Sequence, residues 1–167
     1  MQGNGMDEMT LTQQDSTFLR QAIEVARRSR ANGNHPFGAV LVDESSNVLL
    51  EAENSVGTTG DVTGHAETNL VRQACVRFDR ATLAKCTMYA STEPCAMCSG
   101  AIHWGGIGRL VYALSETGLY DITGHHANND TMALPCRAVF AACHPAVEVV
   151  GPAIEKEART VHEGFWT

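Results

Sequence analysis

Apolar residues recur at helical spacing near the start of the chain, where Phe18, Leu19, Ala22, Ile23, Val25 and Ala26 follow a candidate cap at Asp15 or Ser16. This predicts a helix from Asp15 to about Ala31. Two short apolar runs come next, FGAVLVD at 37–43 and NVLLEAE at 47–53, and the polar turn Glu44-Ser45-Ser46 between them predicts a hairpin. The glycine-rich stretch from Gly57 to Gly64 is expected to be a loop. A helix over 65–78 (HAETNLVRQACVRF) and a buried strand over 86–91 (CTMYAS) follow. Pro94 has the fixed φ that suits a first helical turn, so another helix is expected from there to about Trp104. RLVYAL at 109–114 reads as a strand, and the Gly- and Asn-rich region after it is expected to be irregular as far as Leu134. A helix at 135–142, a strand at 146–150 and a last helix from Pro152 complete the pattern. Strands interleaved with helices imply a sheet covered on both faces, an α/β/α sandwich.

With 167 residues the chain can bury one sizeable core but hardly two, so a single domain over 1–167 is expected, its polar first ten residues forming a loose leader. No apolar run approaches the roughly 20 residues of a membrane-spanning helix. The opening MQGNGMDEMTLTQQDS has neither the basic start nor the apolar stretch of a secretory signal, which sets a cytoplasmic location as the expectation. A net charge of −7 argues against a nucleic-acid partner, because phosphate backbones are held by clustered Lys and Arg. The nearest basic cluster, Arg27, Arg28 and Arg30, is expected to close the first helix and complement its negative end. Six cysteines in such a chain read as thiols or metal ligands rather than a disulfide framework.

The candidate chemistry lies in two groups that each fall where a helix should begin, His65-Ala66-Glu67 and Pro94-Cys95-Ala96-Met97-Cys98. Cys95 and Cys98 are three apart, so at a helix start both sulfurs project to one side, and the positive helix end favours their thiolates. His65 adds a nitrogen from a second helix start. One nitrogen and two sulfurs suit Zn²⁺ at about 2.0 to 2.3 Å, and three protein ligands leave the fourth position for water, as in catalytic sites. A fourth protein ligand would close the site instead. Cys75 lies roughly three turns down the helix from His65, Cys86 should open a strand, and His103 falls about 140° around its helix from Cys98. Cys136, Cys143, His125 and His126 lie in later segments that the sequence does not position, so a closed structural site stays open as an alternative. Glu67 can face the same cavity without binding the metal and is the candidate general acid and base. Zinc lowers the pKa of a bound water from about 15.7 towards roughly 7, and a neighbouring carboxylate can then move protons.

His-x-Glu with Pro-Cys-x-x-Cys is a known signature of zinc deaminases. At these residues the sequence resembles the cytidine deaminase-like superfamily, in the branch of guanine deaminases, yeast-type cytosine deaminases and tRNA adenosine deaminases. The resemblance covers most of the chain and extends to Pro36-Phe37-Gly38-Ala39-Val40, Asn54, and Ser91-Thr92-Glu93 ahead of Pro94, with Gly100-Ala101-Ile102 after Cys98. It implies a three-layer α/β/α sandwich with a central mixed five-stranded sheet, a Zn²⁺ cofactor on His65, Cys95 and Cys98, Glu67 as the catalytic residue, hydrolytic release of ammonia, and a homodimer. It also implies that Asn54 and the backbone at Ala66 contact the base. Phe37 is a candidate pocket wall with a plain core role as its alternative, and Trp104 is a candidate for the pocket or for a subunit interface. In guanine and cytosine deaminases a C-terminal aromatic segment closes over the base. Residues 152–167 are therefore expected to carry a helix and a lid, with Phe165 and Trp166 as substrate contacts or, alternatively, as anchors of that helix.

A tRNA substrate calls for a basic surface, whereas this acidic chain ends in EGFWT. Among small substrates the whole-chain likeness points to guanine, within purine metabolism, with cytosine or a nucleoside as the alternative. Guanine deaminases use a second acid, for which Glu116, Asp121 and Glu163 are candidates. The competing class is a zinc-stabilised binding module without activity, which predicts a closed zinc site and little effect of Glu67.

Overall fold

Helix α1 (Gln13–Ala31) begins at Thr12, whose hydroxyl accepts from the Asp15 amide while the Asp15 carboxylate accepts from the Thr12 amide. The cap therefore lies three residues before the expected Asp15, which serves as its reciprocal partner. The computed structural model describes residues 10–124 and 130–166. The other elements are β1 (Gly38–Val42), β2 (Val48–Glu53), α2 (Val56–Thr59), α3 (Ala66–Arg77), α4 (Arg80–Leu83), β3 (Thr87–Thr92), α5 (Ala96–Gly105), β4 (Arg109–Leu114), α6 (Glu116–Thr123), α7 (Cys136–Phe140), β5 (Glu148–Val150) and α8 (Glu155–Arg159). Among the described residues no helix is long and apolar enough to cross a membrane.

The five strands form one mixed sheet in the order β2-β1-β3-β4-β5. β1 runs antiparallel to β2 and β3, whereas β3, β4 and β5 are parallel. Strand alternation sends Val40, Val42, Tyr89, Val111 and Ala113 to one face, where α1 covers them with Leu19, Ala22, Ile23 and Ala26. It sends Leu41, Met88, Ala90 and Leu110 to the other, against Leu70 and Ala74 of α3 and Ile102 of α5. These are the three layers of the sandwich. Gly38 permits the close fit of α1, because a Cβ there would meet the Ala22 carbonyl oxygen and the Ala26 nitrogen at 2.5 Å. Arg109 locks the layers from the side, donating to both oxygens of the buried Asp15, which also accepts from the Tyr89 hydroxyl.

Several expected boundaries move. The segment expected to be irregular contains α6, capped by the Ser115 hydroxyl accepting from the Gly118 amide at 3.1 Å. Gly118 and Gly124 hid a helix whose Leu119 and Ile122 pack on the sheet. Residues 125–129, including His125 and His126, lie outside the described residues, as do residues 1–9 of the expected leader and Thr167. α7 covers only Cys136–Phe140, and β5 only the last three residues of its expected span. The last helix starts at Glu155 rather than Pro152, because Ala153 first donates to the Ala113 carbonyl alongside β4 at 3.0 Å. Arg28 and Arg30 do more than complement a helix end: Arg28 pairs with Glu51 and Glu53, and Arg30 donates to the carbonyls of Val161 and Glu163.

In open α/β sheets, ligands bind beyond the carboxyl ends of the strands. Here β3 ends at Thr92, and the next three residues lead directly into α5.

Candidate active site

Two helix starts meet beyond the end of β3. His65 is the N-cap of α3 and Cys95 the N-cap of α5, and neither side chain caps its own helix, so both are free to face a ligand. Pro94 sits one residue before that cap, outside the first turn where it was expected. The loop that delivers His65 is strapped down by Asn69, whose amide donates to the Glu53 carbonyl, the Ser55 hydroxyl and the Gly64 carbonyl at 2.9, 3.0 and 3.2 Å. Gly64 is required at that contact, since a Cβ would lie 2.6 Å from the Ser55 hydroxyl oxygen. On the far side of the loop, Asn34 accepts from the Thr58 amide at 2.9 Å.

His65 Nδ1 lies 3.6 Å from Cys95 Sγ and 3.6 Å from Cys98 Sγ. Bonds of about 2.3 Å to sulfur and about 2.0 Å to nitrogen, meeting at a tetrahedral angle, place the two atoms roughly 3.5 Å apart. The donor set therefore fits zinc in both chemistry and spacing. Its ligand atoms lie within 4.8 Å of one another, and among the described residues no other His, Cys, Asp or Glu joins such a group. Cys75, Cys86, His103, Cys136 and Cys143 all stand outside it.

Hydrogen bonds from Cys98 and His65 hold the Cys95 thiol well below its ordinary range despite its burial, which prepares a thiolate for a cation. Glu67 is buried beside this set, with Oε2 accepting from the Cys98 thiol at 3.3 Å. Burial, reinforced by the negative charge of Cys95, pushes the Glu67 carboxyl up.

These groups face a cavity of about 550 Å³ whose lining includes His65, Glu67 and Cys95. Apolar walls come from Val56, Val62, Leu119 and Met132, and an aromatic edge from His35, Phe37 and Trp166. Among the described residues no Lys or Arg lines it. A second hollow of about 330 Å³ is different in kind, because the Arg28, Glu51 and Glu53 that line it already pair with one another.

Residues 12–114 match the family described as the cytidine and deoxycytidylate deaminase zinc-binding region. The chain belongs to this deaminase family. It is 45% identical over 161 residues to a probable cytosine deaminase of Schizosaccharomyces pombe, covering 96% of this chain and 98% of that one. It is 39% identical over 102 residues to a guanine deaminase of Bacillus subtilis, covering 60% of this chain and 65% of that one. Among solved structures, a tRNA:A34 deaminase superimposes with a TM-score of 0.68 at 29% identity, covering 87% of this chain and 99% of that one. The guanine deaminase of Nitrosomonas europaea gives a TM-score of 0.71 at 21% identity, over 92% of this chain and 84% of that one, and shows the shared fold alone. The deaminase is accordingly a hydrolase with zinc as its cofactor, and His65, Cys95 and Cys98 are placed to bind it.

The deaminase brings Glu67, Phe37 and Trp166 to one cavity with two of the metal-binding residues. Ala66 is buried in the first turn of α3. Asn54 is buried at the end of β2, with its Oδ1 accepting from the Val56 amide at 3.0 Å, and like Ala66 it stands behind the lining of the cavity rather than on it. Trp104 does not reach the cavity: it is 78% exposed and packs on His103. Six positions past Cys98 carry it about 240° around the helix, away from the cysteine face. Phe165 stands outside the lining and packs on Trp166, His35 and Arg30. None of the proposed second acids lines the cavity. Glu116 is buried against Tyr120, Asp121 faces Arg159 across 3.7 Å, and the Glu163 carbonyl is held by Arg30. Besides Glu67, the acids that line it are Glu93 and Asp130, and sequence reasoning passed over both, as it did His35, Thr92 and Tyr120. Glu93 lay within the quoted motif and so carried a signal. Asp130 and His35 sat in stretches that read as connections.

Proposed function

We propose that the deaminase acts on a free nucleobase, with cytosine as the preferred substrate. The observation that carries this is a cavity with zinc donors and a buried carboxyl on its lining, apolar and aromatic walls, and no basic residue among the described lining. A flat heterocycle fits such walls, whereas a nucleotide or tRNA phosphate finds no cation there. Cytosine is preferred over the expected guanine because the cytosine deaminase relative spans nearly the whole chain and the guanine deaminase relative only part of it. The guanine reading keeps the support of that partial likeness.

His65, Cys95 and Cys98 would hold the zinc, which would supply a water of lowered pKa. Glu67 does the proton work: it takes a proton from the water as the water oxygen bonds the amine-bearing carbon and gives it to the adjacent ring nitrogen, then takes the proton left on that oxygen and gives it to the amine nitrogen, which leaves as ammonia while the oxygen becomes the oxo group. Its raised proton affinity suits a group that must both take and give protons. Asn54 has its oxygen committed to Val56, so its NH₂ end is the part that contacts the base. The Ala66 amide, at a helix start without a side-chain cap, is the backbone donor. Trp166, Phe37 and His35 exclude water at the aromatic edge.

Ammonia release is to be measured across cytosine, guanine, adenine, their nucleosides and cytidine monophosphate. A kcat/KM for cytosine about tenfold or more above every other compound is expected, within the range that pocket shape supplies. A preference for a nucleoside or nucleotide, or the absence of zinc-dependent ammonia release, contradicts the reading.

A further inference from the structure

We propose, resting on the free-base reading above, that His35 determines specificity by donating a hydrogen bond from its imidazole to the ring oxo group of the substrate. His35 lines the cavity together with His65, Glu67 and Cys95. Its ring is held by three aromatic neighbours: edge-on to Phe37 at 6.4 Å and to Phe165 at 5.8 Å, and tilted against Trp166 at 5.3 Å. Its backbone is fixed too, since the His35 carbonyl accepts from the Ser29 hydroxyl at 2.7 Å and from the Phe37 amide at 2.8 Å. A group ordered before binding spends little entropy when it engages a ligand.

The ring nitrogens of His35 have no hydrogen-bond partner among the described residues. His162 is a contrast within the same aromatic cluster, because its Nδ1 accepts from Trp166 Nε1 at 3.0 Å. Burial, with a smaller contribution from His65, lowers the proton affinity of His35, and an imidazole carries at least one N–H donor in either protonation state. That donor needs an acceptor. Of the carboxyls on the lining, that of Glu93 is already committed to the Glu116 and Cys136 amides. An amino-heterocycle with an oxo group brings its own acceptor, and the same ring without that group leaves the half-buried N–H unpaired. Sites built on such a bond reject the analogue that lacks it.

The test compares wild type, His35→Phe and His35→Gln on cytosine and 4-aminopyrimidine, the same ring without the oxo group, with guanine and 2-aminopurine as the parallel pair. His35→Phe keeps the aromatic packing and loses the donor, and His35→Gln keeps a donor. The expected result is a fall of roughly tenfold in the oxo-over-deoxo preference for His35→Phe, carried by KM, with zinc content unchanged and partial recovery in His35→Gln. An unchanged preference in His35→Phe, or equal losses on both members of a pair, overturns the proposal. If wild type deaminates none of these rings, the free-base reading fails separately. Calorimetric affinities of wild type and His35→Phe for cytosine and 4-aminopyrimidine then decide the role of His35, and equal preference in the two proteins overturns it.

Discussion

Glu67→Gln is expected to keep its zinc and to lose at least about 100-fold in kcat, and as much as about 10,000-fold. Glutamine fills nearly the same volume beside the Cys98 sulfur, which lies 3.3 Å from Oε2 in wild type, so the surroundings of the metal set are retained. What disappears is an exchangeable proton on a buried group whose proton affinity burial has raised. Metal analysis and steady-state ammonia release check the two halves independently. Full activity in the variant would remove Glu67 from the mechanism, and loss of zinc would make it a support of the metal site instead.

Glu93→Ala is expected to cost about 2 to 4 kcal/mol of stability, since charge-assisted hydrogen bonds contribute about 1.5 to 3 kcal/mol each and neighbouring losses overlap. Glu93 Oε2 accepts from the Glu116 amide at 2.8 Å, and Oε1 from the Cys136 amide at 2.9 Å. One side chain next to the metal motif thus ties down the starts of both α6 and α7. Glu116 extends the tie, because its Oε1 lies 3.1 Å from the Tyr120 hydroxyl and accepts from the Leu134 amide at 3.3 Å. Tyr120 in turn accepts from the Met132 amide at 3.0 Å, and both Tyr120 and Met132 line the cavity. Loosening this wall should therefore raise KM as well. Denaturant midpoints for wild type and variant measure the stability loss, and equal midpoints would show that the wall stands without Glu93.

The parts of the site legible in the sequence were the local ones. His65, Glu67, Cys95 and Cys98 declare themselves because their spacings are set within single helix starts, and a helix start fixes where its first side chains point. The same holds for α1 and for the β1–β2 hairpin, whose apolar periods survive without tertiary context. The wall was illegible for the opposite reason. Glu93 finds Cys136 across 43 residues of chain, and nothing in the composition of the Gly-rich segment between them announces α6. As a pocket residue Trp104 misled, because its aromatic character was weighed without its angle on the helix, while its exposure is compatible with the alternative of a subunit interface. His35 was overlooked because, in front of a proline, it reads as part of a turn, and two of the three aromatic neighbours that hold its ring, Phe165 and Trp166, come from the far end of the chain.

The central claim is that zinc here has three protein ligands and keeps one position for solvent. Zinc K-edge absorption of the isolated protein tests this most directly. Two sulfurs at about 2.3 Å with two light atoms at about 2.0 to 2.1 Å, only one of them from imidazole, is the predicted result. A third sulfur, a second imidazole, or no zinc at all would contradict the account.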